Sequence, residues 1–327
     1  MMAVPMVGRA PALDELRRAW SRVRGGGGPL TAVVTGASGT GKSALVGAFR
    51  RGGPSSVEVL AGTARVHSPA PYDWLAAVLA GRDTRGIDVP PDALSWLKQD
   101  PDVPRERYTP EALLRIAVTT VRALVGTAPA VLIAEDLHAL DPASLNLIAE
   151  LATTDLPVLL LVTSQPPEDP LTMRTLARLT GRPGAVRRHL RGLLPAEVGE
   201  ILQHVYGVEA APPEVAEAVW RRTDGNPYRL TELIAVEGPA ALTIPRQSSE
   251  LTAREREVLG LLAEAMPNKQ IARVLGISVR TVTVHVSNLL RKTGASSRTE
   301  AVLWALSGDH HVGWRDNDTA ARSQSSA

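Results

Sequence analysis

The chain has 327 residues, 44% hydrophobic and 21% charged, enough for two or three domains with cores and a solvated surface. Its 36 basic and 34 acidic side chains leave a formal charge of +2, so a nucleic-acid partner must be argued from local charge rather than from the total. Cysteine is absent, which excludes disulfides, thiolate catalysis and cysteine-held zinc.

The opening MMAVPMVGRAPALDEL lacks the basic-then-apolar order of a secretory signal. The most apolar stretch, PVLLLVTS, suits a buried strand and is too short to span a bilayer, so a cytoplasmic protein with no membrane partner is expected. Val7-Gly8-Arg9 precedes a helical LDELRRAW and says little by itself. GGGGPL at 25–30 is a flexible entry into a first strand, Ala32, Val33 and Val34.

Directly after that strand comes Gly36-Ala-Ser-Gly39-Thr-Gly41-Lys42-Ser43, then a helix with Leu45 and Phe49 on one side. This is the complete G-x-x-x-x-G-K-[ST] pattern in its strand–loop–helix setting. Glycines let backbone N–H groups turn toward phosphate oxygens, and the helix start adds partial positive charge. Lys42 is placed to reach the β- and γ-phosphates and Ser43 to offer its hydroxyl to Mg²⁺, so ATP and Mg²⁺ are the expected cofactors.

A second strand is expected over 57–60, a helix over EALLRIAVTTVRALV, and a third strand over 131–134. That strand ends in Glu135-Asp136, at the strand edge where open α/β sheets bind ligands. Glu135 is the candidate carboxylate on the metal side and Asp136 the candidate for polarising an attacking water; the plainer alternative is a strand ending in two solvated acids. For His138 and Asp141 a helix-start or surface role competes evenly with a catalytic one. A fourth strand over 158–163 ends at Thr163 and Ser164, either of which would sense a γ-phosphate through its hydroxyl or simply cap the strand. A weak fifth strand is read over 186–190, then a helix PPEVAEAVWRRT broken by Gly225-Asn226-Pro227-Tyr228. The alternation predicts an α/β P-loop NTPase domain, with a mostly parallel sheet and a helical lid, over 1–236. EGPAALTIPRQSSE marks a linker over 237–249, and the polar end from 307 to 327 is expected to be loose.

Between them, 250–306 reads as an all-α four-helix domain. Thr252 and Glu255 form a capping box for the first helix, Asn268 caps a second ending at Gly276, Ser278 caps a third, and Ser297 with Glu300 opens a fourth. The turn Leu275-Gly276-Ile277-Ser278 gives helix-turn-helix spacing. Val282, Val286, Leu289 and Leu290 form the inner face of the third helix, and Ile277 and Val279 are read as packing. Arg280, Thr281, Thr283, Ser287, Asn288 and Arg291 are left outside, a mixture that suits base edges and phosphates. Between Glu264 and Glu300 there is no acid but six bases, Lys269, Arg273, Arg280, Arg291, Lys292 and Arg298. A small bundle with a solvated basic face is the bland alternative. Asn268-Lys269-Gln270-Ile271 lacks the aspartate of a guanine reader, so guanine specificity has no support.

The segment from LTAREREVLGLL to SSRTEAV resembles the LuxR-type (GerE/NarL-like) helix-turn-helix domain, a four-helix bundle whose third helix enters the major groove. The resemblance implies that Thr283, His285 and Asn288 lie on or beside the reading helix, and that Arg280 and Lys292 are phosphate contacts. With Lys269, Thr281, Ser287 and Arg291 these make up the expected DNA contacts. The family often has lysine at the position of Thr283 and glycine near Ala265-Met266. The first 235 residues resemble the ATPase module of the large ATP-binding LuxR regulators related to the maltose-regulon activator, which are signal-transduction ATPases with many domains. VGR, GASGTGKS, the ED-LH-AL-D strand end and GNPYRLTEL occur in that family's order. This resemblance implies that Val7, Gly8 and Arg9 lie near the adenine and that Pro227 starts a lid close to the nucleotide. Gln165 stands where relatives often carry arginine, and Ala139-Leu140 replaces tryptophan-alanine. Relatives also place a winged helix and a long helical sensor where this chain has about a dozen linker residues, so a shortened member is expected.

The function expected is an ATP-binding transcriptional regulator, with binding or slow hydrolysis as its switch and double-stranded DNA as its partner. A homodimer on DNA, through Val302, Leu303 and Leu306, and contact with RNA polymerase are further expectations. The alternative is an ATP-dependent signalling adaptor with weak DNA binding; a DNA-dependent motor has no supporting motif.

Overall fold

The computed structural model describes residues 6–52, 57–63, 70–100, 108–207, 211–242, 251–293, 295 and 297–306, with the side chains of 291 and 304–306 left aside. Two compact units result, Met1–Thr243 and Ile244–Ala327. The expected tail over 307–327 lies outside the described residues, as do 243–250 of the linker region.

In the first unit the chain runs α1 (Ala10–Arg24), β1 (Leu30–Thr35), α2 (Lys42–Arg51), β2 (Glu58–Thr63), α3 (Asp73–Leu79), α4 (Pro91–Leu97), α5 (Pro110–Val125), β3 (Ala130–Glu135), α6 (Pro142–Leu151), β4 (Val158–Ser164), α7 (Pro170–Thr180), β5 (Val186–His189), α8 (Pro195–Tyr206), α9 (Pro213–Thr223) and α10 (Pro227–Glu237). The five strands form one sheet in the order β2-β3-β4-β1-β5, and every pairing is parallel. The inner strands β1, β3 and β4 are covered on both faces, which is why β3 and β4 read as continuous apolar runs, whereas the edge strand β5 alternates with exposed residues. Ala32, Val34, Val131, Ile133, Leu159 and Leu161 face α1 and α2 through Leu16, Trp20, Leu45 and Phe49. The alternate residues Val33, Leu60, Leu132, Leu160 and Val162 pack with residues of α3, α5, α6 and α7. Helices α8 to α10 have a smaller core of their own.

Two short helices, α3 and α4, go beyond what the sequence pattern gave. Trp74 of α3 is fully buried and its Nε1 donates to the Ile133 carbonyl at 2.8 Å, close against Gly62. The first part of the expected linker is ordered: α10 runs to Glu237 and a 3-10 turn follows over Gly238–Leu242.

The second unit contains α11 (Ala253–Ala263), α12 (Asn268–Leu275), α13 (Val279–Thr293) and α14 (Arg298–Leu306). Val258, Leu259, Leu262, Ile271, Val282, Leu289 and Ala301 form its core. The capping box is present: Thr252 Oγ1 accepts from the Glu255 N–H at 3.2 Å, and Glu255 Oε2 accepts from the Thr252 N–H at 2.8 Å. Gly276 ends α12 at φ +64, the left-handed conformation that glycine adopts without penalty. The Ser278 hydroxyl accepts from the Thr281 N–H at 3.1 Å, and Ser297 does the same for Glu300 at 3.2 Å. One cap differs. Asn268 is the first residue of α12 rather than its cap, and Pro267 precedes it.

Candidate functional site

The turn between β1 and α2 forms one wall of a cavity of about 410 Å³. Its lining brings together Ser38, Gly39, Gly41, Lys42 and Ser43 of this turn, Asp136 after β3, Gln165 after β4, and Pro227, Tyr228 and Thr231 of α10. Lys42 is buried, and its Nζ donates to the carbonyls of Gly36 at 2.9 Å and Ala37 at 3.0 Å. Burial holds its ammonium below the ordinary lysine value, and the nearby charge of Asp136 opposes that shift. A side chain at Gly36 would put Cβ 2.7 Å from the Leu190 carbonyl oxygen, so the pattern's first glycine is required by space alone.

Asp136 takes a left-handed backbone conformation, φ 53 and ψ 51, at the start of the 3-10 turn Leu137–Ala139. That conformation is uncommon outside glycine, and functional sites are where such strain concentrates. It is held by the buried Thr163, whose Oγ1 accepts from the Asp136 N–H at 3.1 Å. Thr163 thus positions Asp136 and does not face the cavity. Glu135 is half-buried, pairs with Thr63 in the sheet register and does not line the cavity. His138 Nδ1 accepts from the Gln165 N–H at 3.3 Å, so this nitrogen carries no proton. Burial lowers the His138 pKa; Asp136 opposes this and Lys42 reinforces it. Asp141 is buried as the cap of α6, and its carboxylate accepts from the N–H groups of Tyr72 at 3.0 Å, Asp73 at 3.1 Å and Ser144 at 2.9 Å. That settles its helix-start role and ties α3 to the loop after β3. The Tyr72 hydroxyl is pushed up to about 12 by burial and by the Asp141 charge.

Four further residues expected at the nucleotide site take the following places. Ser164 is fully buried and its hydroxyl donates to the Gln165 carbonyl at 2.7 Å, so Gln165 is the strand-end residue that reaches the cavity. Val7 is buried in the apolar cluster of α8, α9 and α10. Gly8, at φ +70, lies against Glu197, where a Cβ would meet Oε1 at 2.4 Å. Arg9 is 5% exposed, and its Nη2 donates to the carbonyls of Thr40 at 3.0 Å and Arg191 at 2.7 Å. It therefore clamps the phosphate-type turn from behind. Pro227 does line the cavity, with Tyr228 and Thr231, which the sequence pattern did not single out.

In the second unit the outward stripe of α13 is Arg280, Thr283, Val284 and Ser287, all exposed, with His285 and Asn288 half-buried beside it. Thr283 Oγ1 donates to the Val279 carbonyl at 3.0 Å, so its methyl is the group left facing out. Val279 and Val284 are 47% and 52% exposed, which moves Val279 from packing to surface and adds Val284 to the outer face. On α12, Lys269 and Arg273 are exposed. Thr281 is exposed, but its hydroxyl shares a 2.8 Å hydrogen bond with Ser278. Lys292 does not stand free as a phosphate contact: its Nζ lies 2.6 Å from Glu255 Oε2, and the two side chains are 17% and 5% exposed. The side chains of Arg291 and Leu306 lie outside the described residues.

Known proteins account for both halves of this arrangement. Residues 249–305 match the family model of bacterial regulatory proteins of the luxR family, and residues 5–162 match that of the AAA ATPase domain. A LuxR-type helix-turn-helix domain is here fused to an AAA-like ATPase domain. The nitrate/nitrite response regulator protein NarL of Escherichia coli is 48% identical over 62 residues, 19% of this chain and 29% of NarL. The DNA-binding transcriptional activator DevR/DosR of Mycobacterium tuberculosis is 33% identical over 116 residues, 36% of this chain and 52% of that protein. The chain thus spans about three tenths to one half of the length of these relatives. Among solved structures, the Aeropyrum pernix ORC1 protein in complex with DNA superposes with a TM-score of 0.50 at 16% identity, covering 89% of this chain and 85% of that one. At that identity the likeness is one of fold. At the level of domains, the likeness is to LuxR-type helix-turn-helix domains over 249–305 and to ATPase-fold domains over 5–162. No described helix is long and apolar enough to cross a membrane.

Proposed function

We propose that this protein is a transcriptional regulator, related to the large ATP-binding LuxR regulators, whose hold on DNA is set by ATP·Mg²⁺ in the cavity at Lys42. The observation that carries the reading is the docking of α10 onto the phosphate-type turn. Asn226 Nδ2 donates to the Ser38 carbonyl at 2.9 Å, and the Tyr228 N–H donates to the Gly39 carbonyl at 3.2 Å. A ligand held by this turn therefore acts on the surface against which the last helix before the connection to the DNA-binding unit rests. Lys42 and the turn's N–H groups would hold the phosphates, and Ser43, which lines the cavity, the Mg²⁺ side. The metal would supply charge neutralisation on the phosphates. Asp136, fixed by Thr163, is the residue suited to hold a water, with Gln165 next to it. Slow turnover fits a switch.

On the DNA side, Arg280, Lys269 and Arg291 serve phosphates, Asn288 serves a base edge, and the methyls of Thr283 and Val284 suit thymine. Ser287 and His285 complete that face. Leu303 of α14 is 61% exposed and supports pairing of two copies on DNA, while Val302 is half-buried against the bundle core. RNA polymerase is the further partner proposed. Footprinting on duplexes selected from a random pool, with and without ATP, tests the switch. An ATP-dependent change in affinity supports it; identical footprints with saturating ATP would sink it. By linkage the same factor must appear in the affinity for ATP measured with and without DNA.

A further inference from the structure

From 16 to 57 the first unit contains no acidic residue and seven basic ones, a local charge bias that matches the one in the DNA-binding unit. Lys42 belongs to the nucleotide site. The others lie on α1 and α2, which cover the same face of the sheet. Helix α1 ends at Arg24, just before β1 begins, and α2 leaves the phosphate-type turn and ends at Arg51, before β2 begins. Both helix ends therefore collect at the strand-start edge of the sheet, opposite the nucleotide cavity. Arg22, Arg24, Arg50 and Arg51 are exposed there, and no hydrogen bond or ion pair engages them among the described residues. Arg17 reaches from α1 to the end of α2, where its Nη2 lies 3.2 Å from the place a Cβ would take at Gly52, so the two rows adjoin.

Cations in the last turn of a helix complement its dipole, but that role is met by one per helix and leaves the mutual repulsion of four unpaired arginines uncompensated. Guanidinium groups are suited to phosphate oxygens. A membrane surface fits less well, because binding there needs apolar side chains among the bases. None of the exposed large apolar residues lies on α1 or α2.

We propose that the strand-start edge formed by α1 and α2 is a second, sequence-independent DNA contact, made through Arg22, Arg24, Arg50 and Arg51 to backbone phosphates. The proposal rests on the reading of the chain as a DNA binder. Its test is the salt dependence of full-chain binding to a random-sequence duplex, measured for the parent, for the pairs Arg22→Gln/Arg24→Gln and Arg50→Gln/Arg51→Gln, for all four together, and for Arg280→Gln. Each neutralised phosphate contributes about 0.9 to the slope of log affinity against log salt. Each pair should lower the slope by about 1.8 and the four together by about 3.6, while calorimetric affinity for ATP stays unchanged. An unchanged slope in the four-fold variant, with Arg280→Gln still lowering it, overturns this proposal and leaves the helix-turn-helix reading intact. No change in any variant overturns both. If the four-fold variant keeps its DNA slope but loses binding to phosphatidylserine vesicles, the edge is a membrane contact and the proposal fails.

Discussion

A buried ion pair joins the first and third helices of the C-terminal unit, Lys292 to Glu255 at 2.6 Å. Glu255 also closes the capping box of α11, so one carboxylate serves two elements. Burial works against its charge, yet the hydrogen bonds from Lys292 and Thr252 outweigh that and hold its pKa below the ordinary 4.5. A depressed carboxylate contributes stability that is fully present above its unfolded value and is lost as pH falls through the folded one. The unit should therefore lose stability as the pH falls below 4.5, and Glu255→Gln should flatten that loss in thermal melts. Lys292→Met should cost about 2 kcal/mol, seen as faster hydrogen exchange in α11 and α13. It should barely change the salt slope of DNA binding, since the ammonium is spent inside. In the other unit, Lys42→Ala removes the only side-chain cation lining the cavity among the described residues. Calorimetry should find ATP binding reduced beyond measurement, and near-parental affinity would end the assignment of the cavity.

At the level of elements, the docking of α10 concentrates in one residue. The Asn226 carboxamide oxygen caps α10 by accepting from the N–H groups of Tyr228 at 3.0 Å and Arg229 at 3.3 Å, while its nitrogen donates to Ser38. Gly39 makes the approach possible, for at φ +76 a Cβ there would sit 2.5 Å from Asn226 Oδ1. Asn226→Ala should cost about 1 kcal/mol through the cap alone. It should also raise hydrogen exchange along 227–237 without disturbing the sheet; protection equal to that of the parent would mean that the docking is dispensable. The turn after α11 holds the converse case. Ala265 is left-handed at φ +60, a conformation that costs a residue with a Cβ about 1–2 kcal/mol. Relatives' glycine near this point has that physical reason. Ala265→Gly should raise the stability of the C-terminal unit by about 0.5–1 kcal/mol, read as a higher Tm.

Across the whole molecule, the legible features were those written in neighbouring residues. The turn at Lys42, the strand ending in Glu135-Asp136 and the caps at Thr252, Ser278 and Ser297 each span a handful of positions. Features made by distant partners were not legible. Asn226 meets Ser38 across 188 residues, Arg9 meets Arg191 across 182, and Lys292 meets Glu255 across 37. Helices α3 and α4 have seven residues each, too short for a periodic signal; α3 is anchored by Asp141 and Trp74, and α4 by Leu97 buried in the core, rather than by pattern. Val279 looked like packing because valine in an amphipathic helix usually is, and Val284 was assigned to neither face; only the bundle geometry turns both outward.

The sheet order also sets a timetable for synthesis. β1 lies between β4 and β5, its hydrogen-bonded neighbours, which begin at Val158 and Val186. A ribosome emitting about 5–20 residues per second therefore exposes β1 for several seconds before either neighbour exists. Only β2 and β3 are able to pair in that interval, and the turn at Lys42 has no sheet behind it. Nascent chains stalled before Val158 has cleared the exit tunnel should be cut rapidly by protease within α1 to α2, and chains stalled after His189 has cleared it should resist. Equal resistance at both lengths would mean that the α1–β1–α2 segment is held by something other than its sheet.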